Sequence, residues 1–258
     1  NWTIPEIREK VLSDDILYVG KYSAPDYEVV LDEGCGLAVE NTMITHSPEV
    51  REKLEQLGIP VLVERSSYEE SPLGRVEWIK LYGLLTGTLE QAEAFFQESV
   101  QQVQSVQKET QQQNGQAPTV VFFYFTSSGY ANVRTPHDYI AQMIRQAGGS
   151  YAFTDEELGD QGSRSTVNMD LEQFFAVAKE ADFLIYNSTV EGELASLDAL
   201  LEKSPLMKDC KAVQSGNVWC TGQNMFQQVS GTAEMISDLH AVFSGDTAAP
   251  LNYLYRLQ

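Results

Sequence analysis

Glu64-Arg65-Ser66-Ser67-Tyr68-Glu69-Glu70-Ser71-Pro72-Leu73-Gly74-Arg75-Val76-Glu77-Trp78-Ile79-Lys80 continues through Leu81-Tyr82-Gly83 and Thr86-Gly87 into a long segment that reaches Gln113. In that segment Leu89, Ala92, Phe96, Val100 and Val103 recur at spacings of three and four, which puts one apolar stripe along a helix. The opposite face is Glu and Gln, and Gln111-Gln112-Gln113-Asn114-Gly115 is a stop signal. At about 1.5 Å per residue a helix over 88–113 is roughly 39 Å long, enough to cross a lobe. Alternating strand and helix patterns lie on both sides. The reading is a rod joining two α/β lobes, with an arginine-bearing loop at 64–75 near a cleft.

Upstream, residues 3–11 read as a short helix with Thr3 as cap and Pro5 in its first turn. Asp15 to Gly20 reads as a buried strand, Pro25 to Leu31 as a helix, and Leu37 to Glu40 as a second strand. Ser47-Pro48-Glu49 opens a helix with a cap, a first-turn proline and an acid at its positive end. Ile59 to Val63 is a third strand, and the alternation implies parallel pairing. Three strands in about 87 residues resemble the second half of a domain, so the start of the N-terminal lobe is expected to be missing.

Downstream, Ala117-Pro118 marks a second lobe. Thr119 to Phe125 is an apolar run suited to a central parallel strand. Helices are expected at 136–147, 170–181, 194–203 and 228–243, with a strand at 182–186. Ala212-Val213 and Asn217-Val218-Trp219 bracket a Ser-Gly turn, and the tail Tyr253-Leu254-Tyr255 is expected to pack back on the body. The expected division is 1–87, 88–113 and 114–258. No 20–50-residue repeat is visible.

The chain has 258 residues, 43% hydrophobic and 10% aromatic, which is ample for packed cores. Thirty-seven acidic against 17 basic residues give a net charge of −20. That charge argues against nucleic acid and anionic lipid as partners. Cys35, Cys210 and Cys220 contain no C-x-x-C pair, which disfavours a zinc ribbon or redox dithiol. Cys210 and Cys220 read as buried free thiols, with a bridge between them as the alternative.

Ligands of open α/β sheets bind beyond the carboxyl ends of the strands. The loops there hold Tyr22, Asn41 and Met43, the 64–75 stretch, Tyr130, Arg134, Asn187, Asn224 and Met225. Only eight arginines occur in the chain, and Arg65, Arg75 and Arg134 lie in these loops. Guanidinium forks match carboxylates, so in so acidic a protein they point to an anionic ligand group. The bland alternative is that Arg65 or Arg75 pairs with Glu69, Glu70 or Glu77 and pins the loop. His46, His137 and His240 are too scattered for a metal site; His240 reads as structural, and His137, after Pro136 at a helix start, as a candidate to face the cleft. Ser127-Ser128-Gly129 is a weak nucleophile turn with no evident base. Trp78 and Trp219 read as packing residues. No catalytic set emerges.

His46 to Glu49, Leu57 to Val61, Ser66 to Glu69 and above all Pro72-Leu73-Gly74-Arg75-Val76-Glu77-Trp78-Ile79-Lys80 resemble a specific family. It is the substrate-binding proteins of iron-complex ABC importers, the helical-backbone class. Ser204-Pro205-Leu206 with Ala212-Val213 and Gly216 to Trp219 resembles that family's strand-turn-strand near the C-terminus. The resemblance implies two Rossmann-like lobes with parallel sheets joined by one long helix (class III periplasmic-binding-protein-like), little hinge motion, and no catalysis. It implies an extracytoplasmic protein, lipoprotein or periplasmic, that hands a ferric siderophore, haem or cobalamin to a membrane permease.

Arg75 and Tyr68 fall in the matching motif; Arg65, Tyr22, Tyr130, Arg134, Asn224 and Met225 complete the expected ligand-binding set by location. For haem, Tyr68, Tyr130, His137 and Met225 are conceivable iron ligands. Glu49, Glu191 and Glu193 are the acids that the resemblance offers to the permease. No permanent cofactor and no nucleic acid is expected, and a monomer is. The competing reading is a truncated, non-transporting relative that serves as an interaction or scaffold protein.

Overall fold

The computed structural model describes residues 4–112, 115–159, 161–162, 164–246 and 248–258. The packing divides the chain into two compact units, one ending at Glu69 and one running Glu70–Gln258.

In the smaller unit, Pro5 sits in the first turn of helix Pro5–Leu12, which has no side-chain cap; Thr3 lies outside the described residues. Strands β1 (Gly20–Lys21) and β2 (Ala24–Pro25) form an antiparallel hairpin. Gly20 is obligatory there: φ is +102° and a β-carbon would meet the Ala24 carbonyl at 2.5 Å. Asp26 accepts the N–H groups of Glu28 and Val29 and so opens helix Tyr27–Asp32. Strands β3 (Ala38–Glu40) and β4 (Val61–Val63) pair in parallel, with helix Pro48–Gln56 between them in sequence. Val30, Ile44, Val50, Leu54 and Ile59 form the core. Ser47 precedes the Pro48–Gln56 helix without a side-chain bond to it.

The strand expected at Asp15–Gly20 is corrected. Residues up to Val19 are bend and irregular chain, and Tyr18 is 75% exposed. A strand needs a neighbour to take its N–H and C=O groups. Among the described residues β3 and β4 pair only with each other, so the parallel sheet has two strands where three were expected.

The larger unit begins with a second correction. The 64–75 loop gives way at Ser71, whose hydroxyl accepts the Gly74 N–H at 3.2 Å and opens helix Pro72–Glu77. Helix Ile79–Thr86 follows and ends at Gly87 in the left-handed conformation. Gly83 lets that helix lie against the next one, since a β-carbon there would meet the Ala92 Cβ at 2.6 Å. The long helix is Leu89–Gln112, 24 residues, or about 36 Å. Ala92, Ser99, Val103 and Val106 are its buried side, close to the stripe read from the sequence. Gln113 and Asn114 lie outside the described residues.

The sheet here has seven strands: β5 (Thr119–Phe125), β6 (Ala131–Arg134), β7 (Ser150–Tyr151), β8 (Thr166–Met169), β9 (Phe183–Tyr186), β10 (Val218–Thr221) and β11 (Leu254–Arg256). Its order is β11-β10-β9-β5-β6-β8, with β7 also on β5. β10, β9, β5 and β7 are mutually parallel, whereas β6, β8 and β11 run antiparallel to their neighbours. The sheet is therefore mixed and not purely parallel. β5 is central because its side chains are apolar on both faces: Val120, Val121, Phe122 and Phe123 are all buried. Phe174, from helix Leu171–Ala178, packs 4.8 Å from Phe123.

Two local readings change. Residues 211–214 are a helical turn, not a strand; only Val218 onward finds strand partners, on β9 and β11. Arg134 ends β6 instead of lying in a loop. The tail does pack back, as β11. Cys210 and Cys220 are buried free thiols, and Cys35 is free and half-buried.

Candidate functional site

Three of the expected site residues lie in the smaller unit. Tyr22 is in the turn of the β1–β2 hairpin, half-buried. The Arg65 guanidinium carbon lies 5.3 Å from the Tyr68 ring centroid across the short turn Ser66–Tyr68, and Tyr68 is 60% exposed. The Glu64 carboxylate accepts the Ser66 N–H at 2.7 Å and shapes that turn.

The larger unit brings others together. Arg75 leaves the last turn of helix Pro72–Glu77, and its guanidinium carbon lies 3.9 Å from the centroid of the Tyr139 ring. Both line a pocket with Met143, Met225, Gln228, Met235 and Tyr253. The pocket volume is ≈ 20 Å³, too small for a whole chelate. Arg75 and Met225, both in the expected ligand-binding set, line this one pocket. Of the carboxylates expected beside Arg75, Glu77 pairs with Lys80 at 2.8 Å.

Tyr139 heads helix Tyr139–Gln146, and the preceding Asp138 caps it by accepting the Ile140 N–H at 2.9 Å. Asp138 also faces Arg134 at 3.7 Å, with side-chain exposures of 4% and 16%. Burial pushes the Asp138 carboxyl up from its ordinary value; Arg134, the Ile140 N–H and Arg75 oppose this without reversing it. Burial likewise raises the Tyr139 phenol, against the pull of Arg134 and Arg75. Tyr253 is pushed up to about 12 by burial and then by the Glu234 carboxylate. The phenols facing the pocket therefore stay protonated, so the ring under Arg75 is neutral.

Tyr130 and Asn224 are not in this pocket. Tyr130 is 43% exposed in the β5–β6 turn, where its N–H bonds the Thr126 hydroxyl. The Asn224 amide donates to the Asn252 carbonyl at 3.3 Å and holds the tail. His137 is exposed and pairs with Asp155 at 3.1 Å, and His240 is tied to the Ala147 carbonyl at 3.1 Å. Among the described residues no group of three or more His, Cys, Asp or Glu is placed to hold a metal ion. The Ser127 N–H bonds Glu191 at 3.3 Å, and the Gln223 N–H bonds Glu193 at 3.0 Å, so both carboxylates are fastened beside post-strand turns.

Sequence reading missed Asp138, Tyr139, Met143, Met235, Gln228 and Tyr253. The signal for the first two was present: Asp138 precedes the apolar-periodic Ile140, Ala141, Met143 and Ile144 as a cap should, but Pro136 drew the helix start three residues too early.

The family described as periplasmic binding protein matches residues 37–225. An uncharacterized lipoprotein of Methanocaldococcus jannaschii is 26% identical over 248 residues, which is 93% of this chain and 56% of that protein. The chain spans about half the length of the curated relatives it matches. Among solved structures, a periplasmic haem-binding protein from Pseudomonas aeruginosa is similar with a TM-score of 0.71 at 17% identity, covering 96% of this chain and 86% of that one. The periplasmic haem-binding protein HutB of Vibrio cholerae gives 0.70 at 17%, covering 88% and 85%. An ABC transporter substrate-binding protein from Listeria monocytogenes gives 0.65 at 15%, covering 91% and 86%. Identities this low carry the fold alone, and the fold is the class expected from the sequence.

Proposed function

The chain belongs to the periplasmic binding protein family, and from that premise we propose that it captures an iron chelate outside the cytoplasmic membrane and hands it to an ABC permease. The chelate is a ferric siderophore, or haem or cobalamin. The observation that carries the reading is Arg75 held 3.9 Å over Tyr139 at a pocket walled by Met143, Met225 and Met235. A guanidinium recognises a carboxylate, while thioethers and rings accept the apolar part of a ligand. The small pocket suits one anionic arm of a larger ligand. Arg134 and Asp138 stand beside it on the same unit.

The protein acts by binding, without a chemical step, and works extracytoplasmically as a monomer. Glu191 and Glu193, fastened by Ser127 and Gln223, and the exposed Glu49 are the acids offered to the permease. The test is a tryptophan-fluorescence titration with ferric siderophores, haem and cobalamin. Saturable quenching by one class, weakened about tenfold or more in Arg75→Ala, is expected from the loss of a charge-assisted bond. Flat titrations from folded protein would retire the transport reading.

A further inference from the structure

We infer that Tyr253 is the specificity-determining residue of the pocket: its ring fills space continuous with the pocket and so admits a small arm of the ligand and excludes an aromatic one. This deepens, and rests on, the reading that the pocket seats one arm of a larger ligand. Tyr253 lines the pocket and is 2% exposed, so its ring takes up interior space. With the ring in place the pocket volume is ≈ 20 Å³. A ring carried by the ligand would have to stand where the Tyr253 ring stands.

Tyr253 is held at both ends. Its N–H donates to the Asp238 carboxylate at 2.7 Å, and its carbonyl accepts the Gly222 N–H at 2.9 Å. Strand β11 begins at the next residue and pairs with β10, which fixes the chain that carries the ring. The hydroxyl donates to the Glu234 carboxylate. Gly231, also on the pocket wall, has no side chain to hold the ring off, and a β-carbon there would overlap the hydroxyl. The phenol is therefore set against bare backbone. The other large apolar walls differ in kind. Met143, Met225 and Met235 are unbranched thioethers, which reshape around a guest at small cost. A ring pinned at its backbone and its hydroxyl does not yield in that way, so it is the wall that sets the limit of size.

The test has two arms, run on the whole chain as wild type, Tyr253→Phe and Tyr253→Ala. In the first, phenol is offered in place of the missing ring and thermal melts are recorded. A saturable rise in Tm of roughly 2–4 °C is expected for Tyr253→Ala and none for the other two proteins. In the second, affinities are measured for ferric citrate, whose arms are aliphatic, and for ferric salicylate, whose arms are aryl rings. Wild type and Tyr253→Phe are expected to favour ferric citrate alike. Tyr253→Ala is expected to move the ratio of the two affinities about tenfold or more toward ferric salicylate. Should the alanine variant not fold, Tyr253→Leu carries the second arm, with a shift of about threefold expected in the same direction.

A folded Tyr253→Ala that ignores phenol overturns the proposal, because the vacated space would not open to a guest. An unchanged ratio of the two chelates overturns it as well, since equal losses are what a purely structural tyrosine produces. If none of the proteins binds either chelate, the capture of such chelates fails as a reading, and the phenol arm alone decides whether Tyr253 bounds the pocket.

Discussion

The carboxylate of Asp238 accepts the backbone N–H of Tyr253 at 2.7 Å, and the same oxygen takes the Asn252 N–H at 2.8 Å. Asp238 is buried on helix Thr232–Ser244, so this pair of bonds fastens the tail that forms β11 and sets Tyr253 into the pocket. Asp238→Ala leaves the buried Tyr253 N–H and the part-buried Asn252 N–H without their acceptor and is expected to cost about 1–3 kcal/mol. Asp238→Asn keeps a carbonyl acceptor and is expected to cost less. Urea midpoints compare the three proteins, and coincident curves would show that the tail is held by other means.

Gly231 faces the Tyr253 ring so closely that a β-carbon would overlap the hydroxyl. Its φ of −81° is open to any residue, so the demand for glycine is one of space. Gly231→Ala is expected to lose about 1–3 kcal/mol through displaced packing. Tyr253→Leu should remove most of that penalty in the double variant, making the two changes non-additive in thermal melts. Additive losses would place the Gly231 requirement elsewhere.

Asp138 carries a pH signature. Its carboxyl is raised in the folded state, first by burial, so the fold binds this proton more tightly than the unfolded chain does. The stabilising contribution is full below the ordinary aspartate value and is lost as pH rises through the raised folded value. At neutral pH the ionised group is therefore a net cost. Asn keeps the helix cap without the charge, so Asp138→Asn is expected to be at least as stable as wild type at about pH 7, with its advantage shrinking by about pH 4. Denaturant titrations at both pH values test this; an Asn variant weaker at neutral pH would mean that the Arg134 pair outweighs burial.

The sequence by itself determined the elements whose causes are local. Thr119–Phe125 reads as a central strand because both its faces are apolar, and Leu89–Gln112 as a helix because its apolar residues repeat every three to four positions. It also put Arg75 and Met225 among its expected site residues, because scarce cations and post-strand loops are where ligands of α/β folds are sought, and the two line one pocket. Tertiary structure decided the rest. Asp15–Val19 has the composition of a strand but no partner strand among the described residues, and pairing is a property of distant residues. β6 and β8 hold Asn132 and Asn168, joined across the strands, where polarity hid the sheet. Arg75 meets Tyr139 only because two separate helices are buried against one core, and no spacing along the chain encodes a contact made through packing.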